Sequence, residues 1–147
     1  MHYDELISQV KALTDGVPYP IANLANTAAA IWQSLDRLNW AGFYLMEEGA
    51  LVLGPFQGKP ACIRIPMGKG VCGTAAERRE TVRVEDVHQF PGHIACDCAS
   101  NSEIVVPIFK NNEIYGVLDL DSPYFSRFTE EDQAGLEALV RVLEANL

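Results

Sequence analysis

Ile104-Val105-Val106-Pro107-Ile108-Phe109-Lys110-Asn111-Asn112-Glu113-Ile114-Tyr115-Gly116-Val117-Leu118-Asp119-Leu120-Asp121 reads as a strand, a turn and a second strand. β-Branched and aromatic residues fill both arms, and the Asn-Asn pair tolerates the left-handed backbone that a tight hairpin needs. A lone hairpin is marginal in water, so this one requires a larger sheet. The chain supplies it upstream. Trp40-Ala41-Gly42-Phe43-Tyr44-Leu45-Met46 has a period of two, Leu51-Val52-Leu53 returns across Glu48-Gly49, and shorter strands are expected around Ile63-Arg64-Ile65 and from Thr81 to Val84.

Helical spacing brackets these strands. Leu6, Ile7, Val10 and Leu13 precede Gly16, and Ile21, Leu24, Ala28, Ile31, Trp32 and Leu35 follow Pro20. Gly68 and Gly70 lead into a short helix from Val71 to Arg79, and Thr129 caps a last helix carrying Leu136, Leu139, Val140 and Leu143. The expected order is two helices, three strands, a short helix, three strands and a helix. Strands joined mostly by hairpins make this an α+β fold with a largely antiparallel sheet flanked by helices. No repeat or interdomain linker interrupts it, so residues 1–147 are expected to form one domain.

Composition excludes several function classes. Hydrophobic residues make up 48% and charged residues 21%, the mix of a globular domain large enough to fold without disulfide or metal staples. A net charge of −9, with Arg78-Arg79 the sole adjacent basic pair, disfavours nucleic-acid and membrane partners. The opening Met1-His2-Tyr3-Asp4-Glu5 lacks the basic start of a secretion signal, and a cytoplasmic location is expected. Four cysteines in a reducing compartment are buried apolar residues, metal ligands or redox-active thiols rather than permanent bridges.

Parity along the strands nominates a site. Trp40, Gly42 and Tyr44 share one face, with a slot expected at the glycine for a slim sulfur-bearing group. Asp119 and Asp121 share a face roughly 6.6 Å apart, and two such carboxylates call for solvent or for a cation such as a substrate ammonium. A two-residue Asn111-Asn112 turn pairs Glu103 with Leu120, on the wrong face. A three-residue loop Lys110-Asn111-Asn112 instead pairs Glu103 with Asp119 and gathers three carboxylates, and a bulge has a similar effect.

Residues 85–101 form a long connection, and long connections tend to carry function. It holds His88, His93, Cys96 and Cys98. Cys96 near His93, and Cys72 at a helix start, are both candidates for a lowered thiol pKa, while Cys72 also suits a buried structural role. The two histidines with Cys96 and Cys98 make a further zinc-ligand set whose spacing matches no standard motif.

Three blocks of sequence carry a family resemblance. Gly54-Pro55-Phe56-Gln57-Gly58-Lys59-Pro60-Ala61-Cys62, Gly70-Val71-Cys72-Gly73-Thr74-Ala75, and Asp86-Val87-His88-Gln89-Phe90-Pro91-Gly92-His93-Ile94-Ala95-Cys96-Asp97 with Ser102-Glu103-Ile104-Val105-Val106-Pro107 closely resemble the free methionine-(R)-sulfoxide reductase family. The resemblance covers nearly the whole chain and implies a GAF-type domain. It implies that Cys96 is the nucleophile, Cys62 the main resolving thiol and Cys72 a secondary partner. It further implies that Glu103, Asp119 and Asp121 hold the polar end and sulfoxide of the substrate, while Trp40 and Tyr44 receive its methyl end. Cys98 departs from the family pattern, where a small residue is usual, and competes with Cys62 as resolving thiol.

The chemistry so implied needs no metal or organic cofactor. Cys96 attacks the sulfoxide sulfur, Asp121 protonates the oxygen, and the resulting sulfenic acid condenses to a disulfide that a thioredoxin-like protein reduces. The partners expected are free methionine-(R)-sulfoxide and that reductant, and a homodimer is compatible with the sequence. The rival reading is a GAF domain without catalysis, either a small-ligand sensor or a thiol redox sensor.

Overall fold

The computed structural model describes residues 3–93 and 99–147. Helices α1 (Tyr3–Thr14) and α2 (Pro20–Ser34) are followed by strands β1 (Trp40–Glu47), β2 (Ala50–Gly58) and β3 (Arg64–Pro66). Helix α3 (Gly70–Arg78), strand β4 (Val82–Val84), a 3₁₀ turn at Val87–Gln89, strands β5 (Ser102–Lys110) and β6 (Glu113–Ser122), and helix α4 (Glu130–Glu144) complete it. This is the order expected from the sequence. The strands form one six-stranded sheet in the order β3-β2-β1-β6-β5-β4, with every neighbouring pair antiparallel.

Local chemistry accounts for the boundaries. Pro20 starts α2, where its missing N–H is no loss. At the start of α4 the Thr129 hydroxyl accepts from the Asp132 backbone N–H at 3.2 Å, and the Asp132 carboxylate accepts from the Thr129 N–H at 2.8 Å. Both two-residue turns have paired left-handed residues, Glu48 and Gly49 (φ 51° and 82°) and Asn111 and Asn112 (φ 53° and 65°).

Two irregularities shape the sheet. Gly54 and Pro55 together oppose Phe43, so β2 carries a bulge where proline's missing donor does least harm. The second corrects a sequence expectation. The β5–β6 turn has two residues rather than three, with Lys110 opposite Glu113, but Tyr115 is an extra residue that shifts the register beyond Ile108. Glu103 therefore pairs with Asp121 instead of Asp119, and the bulge, not the loop, turns Glu103 onto the face of the two aspartates.

Each face of the sheet has its own core. Helices α1, α2 and α4 cover one side, where Leu6, Leu24, Phe43, Ile104, Leu118 and Leu139 are fully buried. Helix α3 packs on the opposite side over Val105 and Val117, beside Trp40 and Tyr44. Among the described residues no helix is long and apolar enough to cross a membrane.

Candidate active site

The strand register aligns the polar residues in rows. Trp40 on β1 pairs with Asp121 on β6, which pairs with Glu103 on β5. One row on, Gly42 faces Asp119, which faces Val105. Helix α3 closes over these rows and brings Cys72 within hydrogen-bonding range of Asp119. The result is a cleft with about 550 Å³ of empty space, its open mouth included. Trp40, Tyr44, Cys72, Glu103, Asp119 and Asp121 line it, all of them nominated from the sequence.

The aromatic wall differs from the expectation in one respect. A Cβ on Gly42 would come within 2.3 Å of the Phe56 Cβ, so Phe56 of the bulged β2 strand fills the expected slot. The glycine serves the close approach of β2 instead. Phe56 stacks on Trp40 with ring centroids 5.1 Å apart, and Trp40 stacks on Tyr44 at 5.8 Å. The polar tips are anchored away from the cleft: Trp40 Nε1–H donates to the Lys59 carbonyl (3.1 Å) and Tyr44 O–H to the Cys62 carbonyl (2.8 Å). The rings are thereby fixed as an apolar wall.

Beside that wall the electrostatics are severe. Glu103 and Asp119 are 7% and 5% exposed, and burial pushes both carboxyls above their ordinary range. For Glu103 the neighbouring Asp119 and Asp121 charges push in the same direction. For Asp119, hydrogen bonds with Glu103, Cys72 and Asp121 partly offset the effect. Burial and like charges this close therefore favour sharing protons among these groups over ionising all of them. Burial and the same aspartates also raise Tyr44 strongly.

The cysteines separate. Cys72 lies in the first turn of α3, but burial, reinforced by Asp119, Glu103 and Asp121, raises its thiol well above the ordinary value. The helix-start environment expected to lower its pKa is overwhelmed by desolvation and by negative neighbours. Cys72 is free, whereas Cys62 is disulfide-bonded. Cys96 and Cys98 lie outside the described residues. His93 lines the cleft, with its pKa lowered by burial and by His88, whose ring centroid is 6.5 Å away. Both favour the neutral imidazole, against the opposing charge of Asp119.

Sequence reasoning passed over Lys69, Ser100, Pro60 and Ala61, which also line the cleft. Lys69 sits between the two glycines read as a helix lead-in, and no periodicity marks it. Ser100 accepts from Asn39 Nδ2 at 3.0 Å, a contact that joins the end of the long connection to the approach of β1.

Comparison with known proteins agrees with this geometry. The GAF domain family model matches residues 20–147. The free methionine-R-sulfoxide reductase of Escherichia coli is 58% identical over 142 residues, which cover 97% of this chain and 86% of that protein. The structure of fRMsr from Staphylococcus aureus in complex with substrate is 53% identical with a TM-score of 0.95, covering 99% of this chain and 95% of that one. Free methionine-R-sulfoxide reductase from Neisseria meningitidis, also in complex with its substrate, is 44% identical with a TM-score of 0.95, covering 98% and 87%. With the GAF match and this identity over almost the full length, the chain belongs to the free methionine-R-sulfoxide reductase family.

Proposed function

We propose that the chain, acting as one GAF domain in the cytoplasm, reduces free L-methionine-(R)-sulfoxide to L-methionine with Cys96 as the nucleophile. The observation that carries this reading is the row Trp40–Asp121–Glu103 with Asp119 beside it: an apolar wall adjoins a group of carboxyls in one cleft. A free amino acid sulfoxide has complementary parts, a methyl group for the wall and an ammonium group for the carboxyls. Glu103 and Asp119 grip the ammonium, and Trp40 and Tyr44 take the methyl end. A peptide-bound residue lacks the ammonium and gains nothing from that grip.

The Cys96 thiolate attacks the sulfoxide sulfur while Asp121, as a carboxylic acid, protonates the departing oxygen. Two electrons pass from the thiolate to the substrate. The hydroxyl then moves from the substrate sulfur to the Cys96 sulfur as the newly formed S–S bond breaks, its electron pair going to methionine, so methionine leaves and Cys96 carries the oxygen as a sulfenic acid. Cys62 condenses with it, releasing water and forming a disulfide, with Cys72 as the secondary partner. A thioredoxin-like dithiol then reduces the disulfide by exchange and is itself oxidised. The disulfide-bonded state of Cys62 and the high-pKa thiol of Cys72 support this division of labour, since the thiol that stays protonated is the poorer nucleophile.

The test follows methionine formation from racemic free methionine sulfoxide with dithiothreitol as reductant, resolving the epimers by chiral chromatography. Wild type is expected to consume the R epimer alone, and Cys96→Ser neither. Disulfide formation on peroxide treatment with no consumption of either epimer would transfer the protein to the redox-sensor reading.

A further inference from the structure

Cys72 reaches the floor of the cleft from α3, Glu103 from β5 and Asp119 from β6, and one ligand atom of each lies within 4.8 Å of the others. All three residues are buried. Asp119 lines the cleft, and its Oδ1 is buried without a hydrogen-bond partner among the described residues. Among those residues neither Glu103 nor Asp119 forms an ion pair with a lysine or arginine. Negative charge at this depth is tolerated with a bound proton or with a cation. A proton and a divalent ion are therefore competing ways to fill this cluster.

We propose that Cys72, Glu103 and Asp119 form a Zn²⁺ site on the floor of the cleft, and that zinc bound there excludes the substrate. One sulfur and two carboxylate oxygens are zinc ligands, and the sulfur favours zinc over magnesium or calcium. Bonds of about 2.0–2.3 Å in a tetrahedron separate ligand atoms by about 3.3–3.8 Å, so closure from the observed spacing needs roughly an ångström of side-chain rotation. The fourth position faces the open cleft and is left to water. A thiolate and two carboxylates bind zinc in their deprotonated forms, so binding releases protons and affinity rises with pH. This set is separate from the two loop histidines and draws on no residue of the loop. The exclusion of substrate rests on the reading that Glu103 and Asp119 grip the ammonium group; the metal site itself does not.

Cobalt is the probe. A variant with Cys62, Cys96 and Cys98 all replaced by serine keeps Cys72 as its single thiol. One equivalent of Co²⁺ is expected to develop a thiolate-to-cobalt charge-transfer band that Zn²⁺ removes. Adding Asp119→Asn should weaken binding by about tenfold or more, equal to ~1.4 kcal/mol. A folded single-thiol variant without the band, or a band that survives the further change Cys72→Ser, overturns the site. If that variant does not fold, reduced wild type is alkylated with iodoacetamide and the Cys72 peptide is followed by mass spectrometry. Zinc is expected to slow its labelling about tenfold, and unchanged labelling overturns the site. Free methionine sulfoxide is then added to the cobalt-loaded protein. Loss of the band confirms the shared cleft, whereas a band that persists removes the exclusion of substrate and the ammonium grip together while leaving the metal site standing.

Discussion

The two faces of the sheet are built from alternate residues of the same strands, yet they are different materials. On β6, Leu118 and Leu120 enter the helix-covered core, while Asp119 and Asp121, one residue away, enter the cleft. On β5, Ile104 and Glu103 divide in the same way, and on β1 so do Phe43 and Trp40. The helix-covered face is apolar and closely packed around Phe43, Leu118 and Leu120, each 0% exposed. The cleft face holds carboxyls that would prefer water. Burial on the first face offsets the cost of desolvating charge on the second, so stability and chemistry can be changed separately by moving one residue along a strand.

The largest expected effect breaks the chemistry and spares the fold. Asp121→Asn keeps shape and removes the proposed proton source, so kcat should fall roughly 10²- to 10⁴-fold with little change in KM. Asp119→Asn should instead mainly raise KM. Steady-state kinetics with free methionine sulfoxide measure both, and exchanged effects would reverse the roles assigned to the two aspartates. Next in size is the converse on the other face. Phe43→Ala empties a fully buried ring site and should cost about 3–5 kcal/mol in denaturant unfolding. The folded fraction should keep its KM, since Phe43 does not line the cleft.

A smaller change tests the helix side at its edge. Thr129→Ala removes the reciprocal cap with Asp132 and should cost about 1–2 kcal/mol without altering kcat. Arg127, 8% exposed, holds Asp132 at 3.3 Å and the Asp36 carbonyl at 3.1 Å, which ties the start of α4 to the end of α2. A loss much above this range would mean that the cap and the arginine act as one unit.

How much of this was legible in the sequence depended on whether a feature was local. Period-two alternation put Trp40 and Tyr44 on one face and Asp119 and Asp121 on one face, because parity is fixed by the backbone of a single strand. The cap at Thr129 was equally readable. The register of Glu103 was not, since the extra residue Tyr115 looks like any other aromatic in a strand, and parity counts assume none is extra. The Gly42 slot failed for a related reason. Parity names the face of a residue but not its cross-strand filler, and the β2 bulge swings Phe56 into that space. Cys72 was read from its own helix, either as a thiol beside favourable amides or as a buried structural residue, and it is buried. Burial first, and then Asp119 and Glu103, brought beside it by packing between elements far apart in sequence, reverse the sign of the effect.

The last and smallest effect sets the two faces against each other in pH. Glu103 and Asp119 have folded pKa values above their ordinary 4.5 and 3.8, so they bind protons more tightly folded than unfolded. Their contribution to stability is complete below those ordinary values and is lost as pH rises toward the raised ones. Asp132 has the opposite sign. Burial pushes it up, but bonds from Tyr3 and Thr129 and the charge of Arg127 outweigh this and hold it low. Its contribution is present above the ordinary value of 3.8 and is lost as pH falls through the depressed one. Glu103→Gln should therefore raise Tm on the alkaline side, by about 2–4 °C for roughly 1 kcal/mol in a domain of this size, and flatten the decline there. Asp132→Asn should flatten the acid side alone. Calorimetric scans from about pH 3 to 8 separate the two, and a Glu103→Gln curve parallel to wild type throughout would mean that the cleft carboxyls are solvated and that the contrast between the faces is one of shape rather than charge.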